Sequence, residues 1–330
     1  MAILKSSRTS AMLSIFISYF SCSSVLLVTA SFQALPSPAP GPASFTFDLP
    51  LGIGALYTGL ADGRIVRYQR LRSTFVNYGY TAPNRNQAFC DGTNNTFLAP
   101  ICGRPLGLAF QFGTRRLYAA DAAFGLVVIE PYGGPATQLA TGVDGVRFRY
   151  PAAVDVDQFS GTVYFTDAST RFNLSQLSQL IRTRDTTGRL LKYDPNTRQV
   201  TVLLRGLAGP FAVAISSDRT YVLISEFIRN RIQKYWLTGP NANTAEVLLN
   251  VAGSPGNIRR TIRGDFWVAI NVQTPTVVLR GQRINGDGTI LQTETFSPDF
   301  NTTLITEVNE YGGALYLGSL YPKFVGVYKP

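Results

Sequence analysis

The chain of 330 residues contains no histidine. That removes imidazole as a general base, nucleophile partner or metal ligand, and with it serine-histidine-aspartate triads, cysteine-histidine dyads and histidine-bound zinc. Charge is sparse too, with 15% charged residues divided into 20 acidic and 30 basic side chains. Acid-base chemistry near neutral pH therefore falls to a carboxylate, tyrosine, lysine or cysteine of displaced pKa. Beyond the N-terminal leader no run approaches the ~18 continuous apolar residues of a membrane helix, so no stable membrane insertion is expected once a leader is cleaved. The net charge of +10 is scattered, with only Arg115-Arg116 and Arg259-Arg260 adjacent. A nucleic-acid binder concentrates such charge on one face among aromatic platforms, so no nucleic-acid partner is expected. What the chain does have is 45% hydrophobic and 12% aromatic residues, which excludes a disordered protein. Thirty Gly with 16 Tyr and 21 Phe, and only 2 Met and 2 Trp, favour strands and turns.

Lys5 and Arg8 precede an uncharged stretch, Ala11 to Ala30, that ends Val-Thr-Ala. Residues 1–30 read as a secretory signal peptide cleaved after Ala30, with an uncleaved signal anchor as the alternative. Two cysteines then remain, Cys90 and Cys102, in FCDGTNNTFLAPICGRP. In an oxidising lumen they read as a disulfide stapling that loop, with free buried thiols as the alternative. Asn94, Asn173 and Asn301 begin Asn-x-Ser/Thr sequons and are glycosylation candidates on this route.

A Pro/Ala/Ser-rich stretch at 31–44 reads as an extended linker. A recurring unit follows, in which an apolar-aromatic pair opens one strand and a second strand ends in an aromatic. Its markers are Tyr57, Tyr118, Tyr164, Val222, Trp267 and Tyr316, about 45 to 60 residues apart. Repeats of this period, each with about four short strands, predict an all-β fold, a six-bladed β-propeller over residues 45–330. Paired β-sandwiches are the competing architecture. The FTFD segment at 45–48 and the strand near Pro330 suit ring closure, and RFNLSQLSQLIRTRD at 171–185 has helical periodicity.

Propeller ligand sites lie at the central channel. In TLITEVNEYGGALYLG the period of two puts Val308 and Glu310 on one strand face, and Glu307 and Asn309 on the other. Glu310 thus falls on an apolar side. It is either a structural carboxylate satisfied by hydrogen bonds or a semi-desolvated one suited to proton transfer.

From about Gly41 onward the chain resembles plant strictosidine synthase and its strictosidine synthase-like relatives. The resemblance rests on LYTGLADGRIVRY, FCDGTNN with ICGRP, GGPATQLATGVDGVRF, AVDVDQFSGTVYFTDAST, TGRLLKYDP, EFIRNRIQKYWLTGP, PGNIRR and TEVNEYGGALYLGSL. It implies a six-bladed propeller, a disulfide between Cys90 and Cys102, and a vacuolar destination, with endoplasmic reticulum lumen or cell exterior as alternatives. It further implies a monomer acting on small molecules by a Pictet-Spengler condensation of an amine with an aldehyde, in alkaloid-type metabolism and without cofactor. Glu310 falls on the family's proton-transferring glutamate, and Phe227 on its pocket phenylalanine. The second aromatic wall falls on Ala152, which implies a substrate pair other than tryptamine and secologanin. The wider group of gluconolactonase and paraoxonase propellers implies an alternative, a calcium-dependent lactone or ester hydrolase with Glu226, Asn257, Asn271 and Asp155 as candidate ligands. That group's calcium-binding asparagine falls on Phe211. A third reading is a non-catalytic binding propeller.

Overall fold

The computed structural model describes residues 30–49, 54–273, 276–296, 300 and 304–330, so the leader at 1–29 and the sequon asparagine Asn301 lie outside the described residues. Each recurring unit folds as the second strand of a sheet of four antiparallel strands, to which the sheet of Tyr57 adds a short fifth strand, Gly134–Pro135, paired in parallel, and most units run on into the third strand. The marker residues all lie on those second strands, where aromatic and β-branched side chains pack well against a covered sheet face.

Six such sheets stand as blades around a channel, in chain order. Their inner strands are Phe45–Phe47, Pro105–Gln111, Pro151–Val156, Ala214–Ile215, Ser254–Arg260 and Glu307–Tyr311, which define blades 1 to 6. Each inner strand packs beside the next, and the ring is completed where the Phe45 N–H donates to Glu307 Oε1 at 2.9 Å. The all-β six-bladed propeller read from the sequence is the observed fold. Six apolar clusters fill the six spaces between neighbouring blades; Tyr57, Leu108 and Leu117 lie between blades 1 and 2, and Trp267, Val308 and Leu315 between blades 5 and 6. Each fully buried large apolar side chain contributes about 1.5–3 kcal/mol. At Gly107 an added Cβ would lie 2.7 Å from Ala153 Cα, so glycine is what lets the inner strands of blades 2 and 3 approach this closely.

The outer strand of blade 6 corrects the expected linker. Ser31–Pro36 pairs antiparallel with Phe324–Lys329, from Ser31 opposite Lys329 to Pro36 opposite Phe324. The extended stretch at 31–44 is thus partly a strand, and FTFD is the inner strand of blade 1 instead of the closing one. The reason is that Phe32 and Leu35 supply apolar packing, on Phe300 and Phe324 and in the cluster between blades 6 and 1. Pro36 falls at the strand's end on a sheet edge, where a missing N–H is tolerated.

A second repeating feature builds the rim of the channel. Asp121, Asp167, Glu226 and Asn271 lie at or near the ends of the second strands of blades 2 to 5. Each accepts a backbone N–H from a loop that feeds an inner strand, from Arg104, Tyr150, Ala208 and Ile305 respectively, at 2.7–2.8 Å. This is what the polar residue does in ADAAFG, TDAST, SEFIRN and INVQ. The loop at 171–185 forms a 3-10 turn Leu174–Gln176 running into helix Leu177–Arg182, as its periodicity predicts over a longer span. Cys90 and Cys102 are joined by a disulfide.

Candidate functional site at the channel mouth

Two cavities open at opposite ends of the channel, and the residues singled out from the sequence divide between them. The starts of the inner strands surround the first cavity, with Ala43, Leu106, Ala152, Phe211, Asn257 and Thr306 in its lining. Tyr150, Phe211 and Phe227 form its aromatic wall. The Tyr150 and Phe211 ring centroids are 5.5 Å apart at 62°, and those of Phe211 and Phe227 5.4 Å apart at 74°. These are edge-to-face contacts, in which a positive ring edge meets a negative face. Leu177 and Ile181 cover the wall from the helix above. The space left at the centre is about 80 Å³.

The polar groups of this pocket are few and mostly engaged. Asn257 Nδ2 donates to Glu307 Oε2 at 2.6 Å, while Asn271 holds both the N–H and the C=O of Ile305. The Thr306 hydroxyl donates to the Ala43 carbonyl at 2.7 Å. Burial pushes the Tyr150 hydroxyl well above the usual phenol range, against the opposing pull of Arg104. It stays protonated at neutral pH and does not act as a base.

Glu310 is not in this pocket. It lines the second cavity, of about 560 Å³, among the far ends of the inner strands with Asp155, Arg260 and Tyr311. Its Oε2 accepts from the Trp267 indole N–H at 2.7 Å. The face assignment holds, because Val308 on that side packs between blades 5 and 6. The depth does not. A strand advances ~3.3 Å per residue, so four residues beyond Thr306 carry the chain about 13 Å along the channel. The residue of this segment that does face the aromatic pocket is Thr306. Glu307, fully buried between the two, accepts from Phe45 N–H and Asn257 Nδ2 and is ion-paired with Arg259, so its oxygens are spent on holding the ring together.

Residues 152–240 match the sequence profile of the family described as strictosidine synthase. Protein STRICTOSIDINE SYNTHASE-LIKE 12 of Arabidopsis thaliana is 42% identical over 93% of this chain and 92% of its own length. The chain belongs to the strictosidine synthase-like family. The strictosidine synthase of Catharanthus roseus is 39% identical to this family member, over 89% of this chain and 84% of that protein. A gluconolactonase from Xanthomonas campestris shares the propeller fold, with a TM-score of 0.65 at 14% identity, over 91% of this chain and 89% of the other.

In this strictosidine synthase-like protein the four candidate calcium ligands do not converge. Asn257 and Asn271 lie at the aromatic pocket and Asp155 at the opposite cavity. The buried Glu226 is held by Arg231, Arg229, Gln233 and the Ala208 N–H. Among the described residues no three Asp, Glu, Cys or His side chains stand together to share a cation. The ring of Phe211 points into the pocket, so these residues do not suit calcium there.

Phe227 lines the aromatic pocket. Ala152 lines the pocket too, and Tyr150, in the loop just ahead of that strand, supplies an aromatic to the same pocket. Tyr150, Phe211, Leu177 and Thr306 were not singled out as pocket residues by sequence reasoning. A signal exists for two of them: RYPAAV and GPFAVA both put an aromatic just ahead of an inner strand rich in alanine and valine.

The sequons separate by geometry. Asn94 is exposed, between the disulfide cysteines. Asn173 is half-buried, caps the turn before the helix and accepts from Ser175 Oγ at 2.7 Å. On a secretory route a glycan is expected at Asn94 and not at Asn173. Endoglycosidase digestion of protein expressed in plant cells should give a mass loss that Asn94→Gln abolishes or reduces; a loss altered by Asn173→Gln instead would contradict this.

Among the described residues no helix is long and apolar enough to cross a membrane.

Proposed function

We propose that this strictosidine synthase-like protein binds an aryl-bearing small molecule of plant secondary metabolism in the pocket walled by Tyr150, Phe211 and Phe227, and that Glu310 takes no part. The observation that carries this reading is the separation of groups: three edge-to-face aromatics at one mouth of the channel, the candidate proton-transfer glutamate at the other. An apolar pocket with few free polar groups recognises by shape and buried area, which suits binding. Condensing an amine with an aldehyde needs a group that takes and returns protons. The ionisable side chain lining this pocket is Tyr150, held protonated by burial.

Amine-aldehyde condensation is the second reading, favoured by family membership together with the placement of Phe227. The two separate in one experiment. Tryptamine, tyramine and phenethylamine, alone and with aryl or terpenoid aldehydes, are titrated calorimetrically and their mixtures followed by mass spectrometry. Aryl compounds are expected to bind, Phe227→Ala to weaken them about tenfold or more through the lost aromatic contact, and Glu310→Gln to change nothing. Condensation product that disappears in Glu310→Gln, or binding indifferent to Phe227→Ala, would overturn the proposal.

A further inference from the structure

Arg104 closes the disulfide loop and leads into the inner strand of blade 2. Its side chain is an unusual burial: the residue is 3% exposed, yet among the described residues no carboxylate lies within ion-pair reach. The buried Arg189, by contrast, has Asp167 at 2.6 Å. The guanidinium of Arg104 makes one hydrogen bond among the described residues, from Nη1 to the Gly41 carbonyl at 3.1 Å. Gly41, at φ +78°, presents its backbone directly to it; a Cβ there would lie 2.5 Å from Nη2. Asp121, the nearest buried acid in the fold's rim, is used up on the backbone N–H groups of Arg104, Ala123 and Phe124. Burial pushes the guanidinium down to about 10, with Tyr150, Asp121 and Asp62 offsetting only part of the cost. A buried cation without a counter-ion is expensive, and its remaining donors call for an acceptor.

Arg104 lines a cavity of about 210 Å³, with Asn95, Thr96 and Ser178 among the other polar residues of its lining. That cavity adjoins the aromatic pocket: Leu177 and Leu320 line both. Tyr150 belongs to the aromatic pocket and lies near enough to Arg104 to affect its ionisation.

We propose that Arg104 is the counter-ion for a carboxylate on the bound small molecule, so that the ligand is an aryl-alkyl carboxylic acid with its ring against Phe227 and its acid group beside Arg104. The inference rests on the aromatic pocket being the ligand site. A guanidinium presents two parallel N–H donors in the geometry a carboxylate accepts, and the surrounding hydroxyl and amide groups satisfy the lone pairs that remain. The ligand's alkyl chain lies over Leu177 and Leu320, the side chains the two cavities share.

The test is calorimetry on the full folded domain expressed without N-glycan, because Asn94 stands at the rim of this cavity. The probes are 3-phenylpropionate and 5-phenylpentanoate, each beside its neutral primary amide. At least one acid is expected to bind about tenfold or more tightly than its amide. Arg104→Gln should abolish that preference, whereas Phe227→Ala should weaken acid and amide alike and leave the preference in place. Equal affinity for acid and amide on the native chain overturns the proposal, and that comparison needs no Arg104 variant to fold. An acid preference that survives Arg104→Gln overturns it as well. Phe227-dependent amide binding without acid preference removes the counter-ion role and leaves the aromatic pocket standing; absence of Phe227-dependent binding for every probe removes both.

Discussion

Thr306→Glu is expected to raise amine-aldehyde condensation by about 100-fold or more over the native chain, with at least one pair from the amine and aldehyde panel. Thr306 is the residue of its segment that faces the aromatic pocket, beside Ile305 and across from Phe227. A carboxylate there would sit among apolar groups, where desolvation raises its pKa toward the range in which it can both take and give a proton near neutral pH. Positioned general acid-base groups contribute typically 10²–10⁴-fold, which sets the expected size. The rate is read by mass spectrometry of product under saturating amine. A folded Thr306→Glu protein that retains aryl binding but forms product no faster than the native chain would show that this mouth is not where such chemistry can be supported.

Asp167→Ala should destabilise the protein by about 3–5 kcal/mol, the cost of stripping the partner from a buried charge. Asp167 and Arg189 are both essentially inaccessible to solvent, and Arg189 Nε and Nη1 already lack partners. Removing the carboxylate leaves the whole guanidinium unsatisfied. Asp167 Oδ1 also accepts the Tyr150 N–H at 2.8 Å, so the change loosens the loop that carries an aromatic of the pocket. At roughly 2–4 °C per kcal/mol for domains of a few hundred residues, the melting temperature should fall by at least 6 °C or so. Asp167→Leu combined with Arg189→Met should recover most of this, because an apolar pair carries no desolvation cost. A melting temperature unchanged in Asp167→Ala would mean that the pair contributes nothing to the fold.

The blades were legible because each second strand must cover both its faces, and that demand writes an apolar-aromatic signature at Tyr57, Tyr118, Tyr164, Val222, Trp267 and Tyr316. The closing strand was not, since Ser31–Pro36 reads by composition as a proline-rich linker and gains its pairing and much of its packing from Phe300 and the Phe324–Lys329 strand, nearly three hundred residues away. Period-two alternation places Glu310 correctly with Val308 against blade 5. It carries no information on depth along the channel, which is why a residue beside Trp267 at one mouth can be taken for a partner of Phe227 at the other. Arg104 is invisible as a candidate from sequence because its significance lies in what is missing around it, an ion-pair partner that nearly every fully buried charge has.

The position of a bound ring is the most direct measurement. A crystal structure of the protein soaked with the tightest aryl compound of the panel should show the ring between Phe211 and Phe227, under Leu177. Density beside Glu310 and Trp267, at the opposite mouth of the channel, would contradict the assignment of the site.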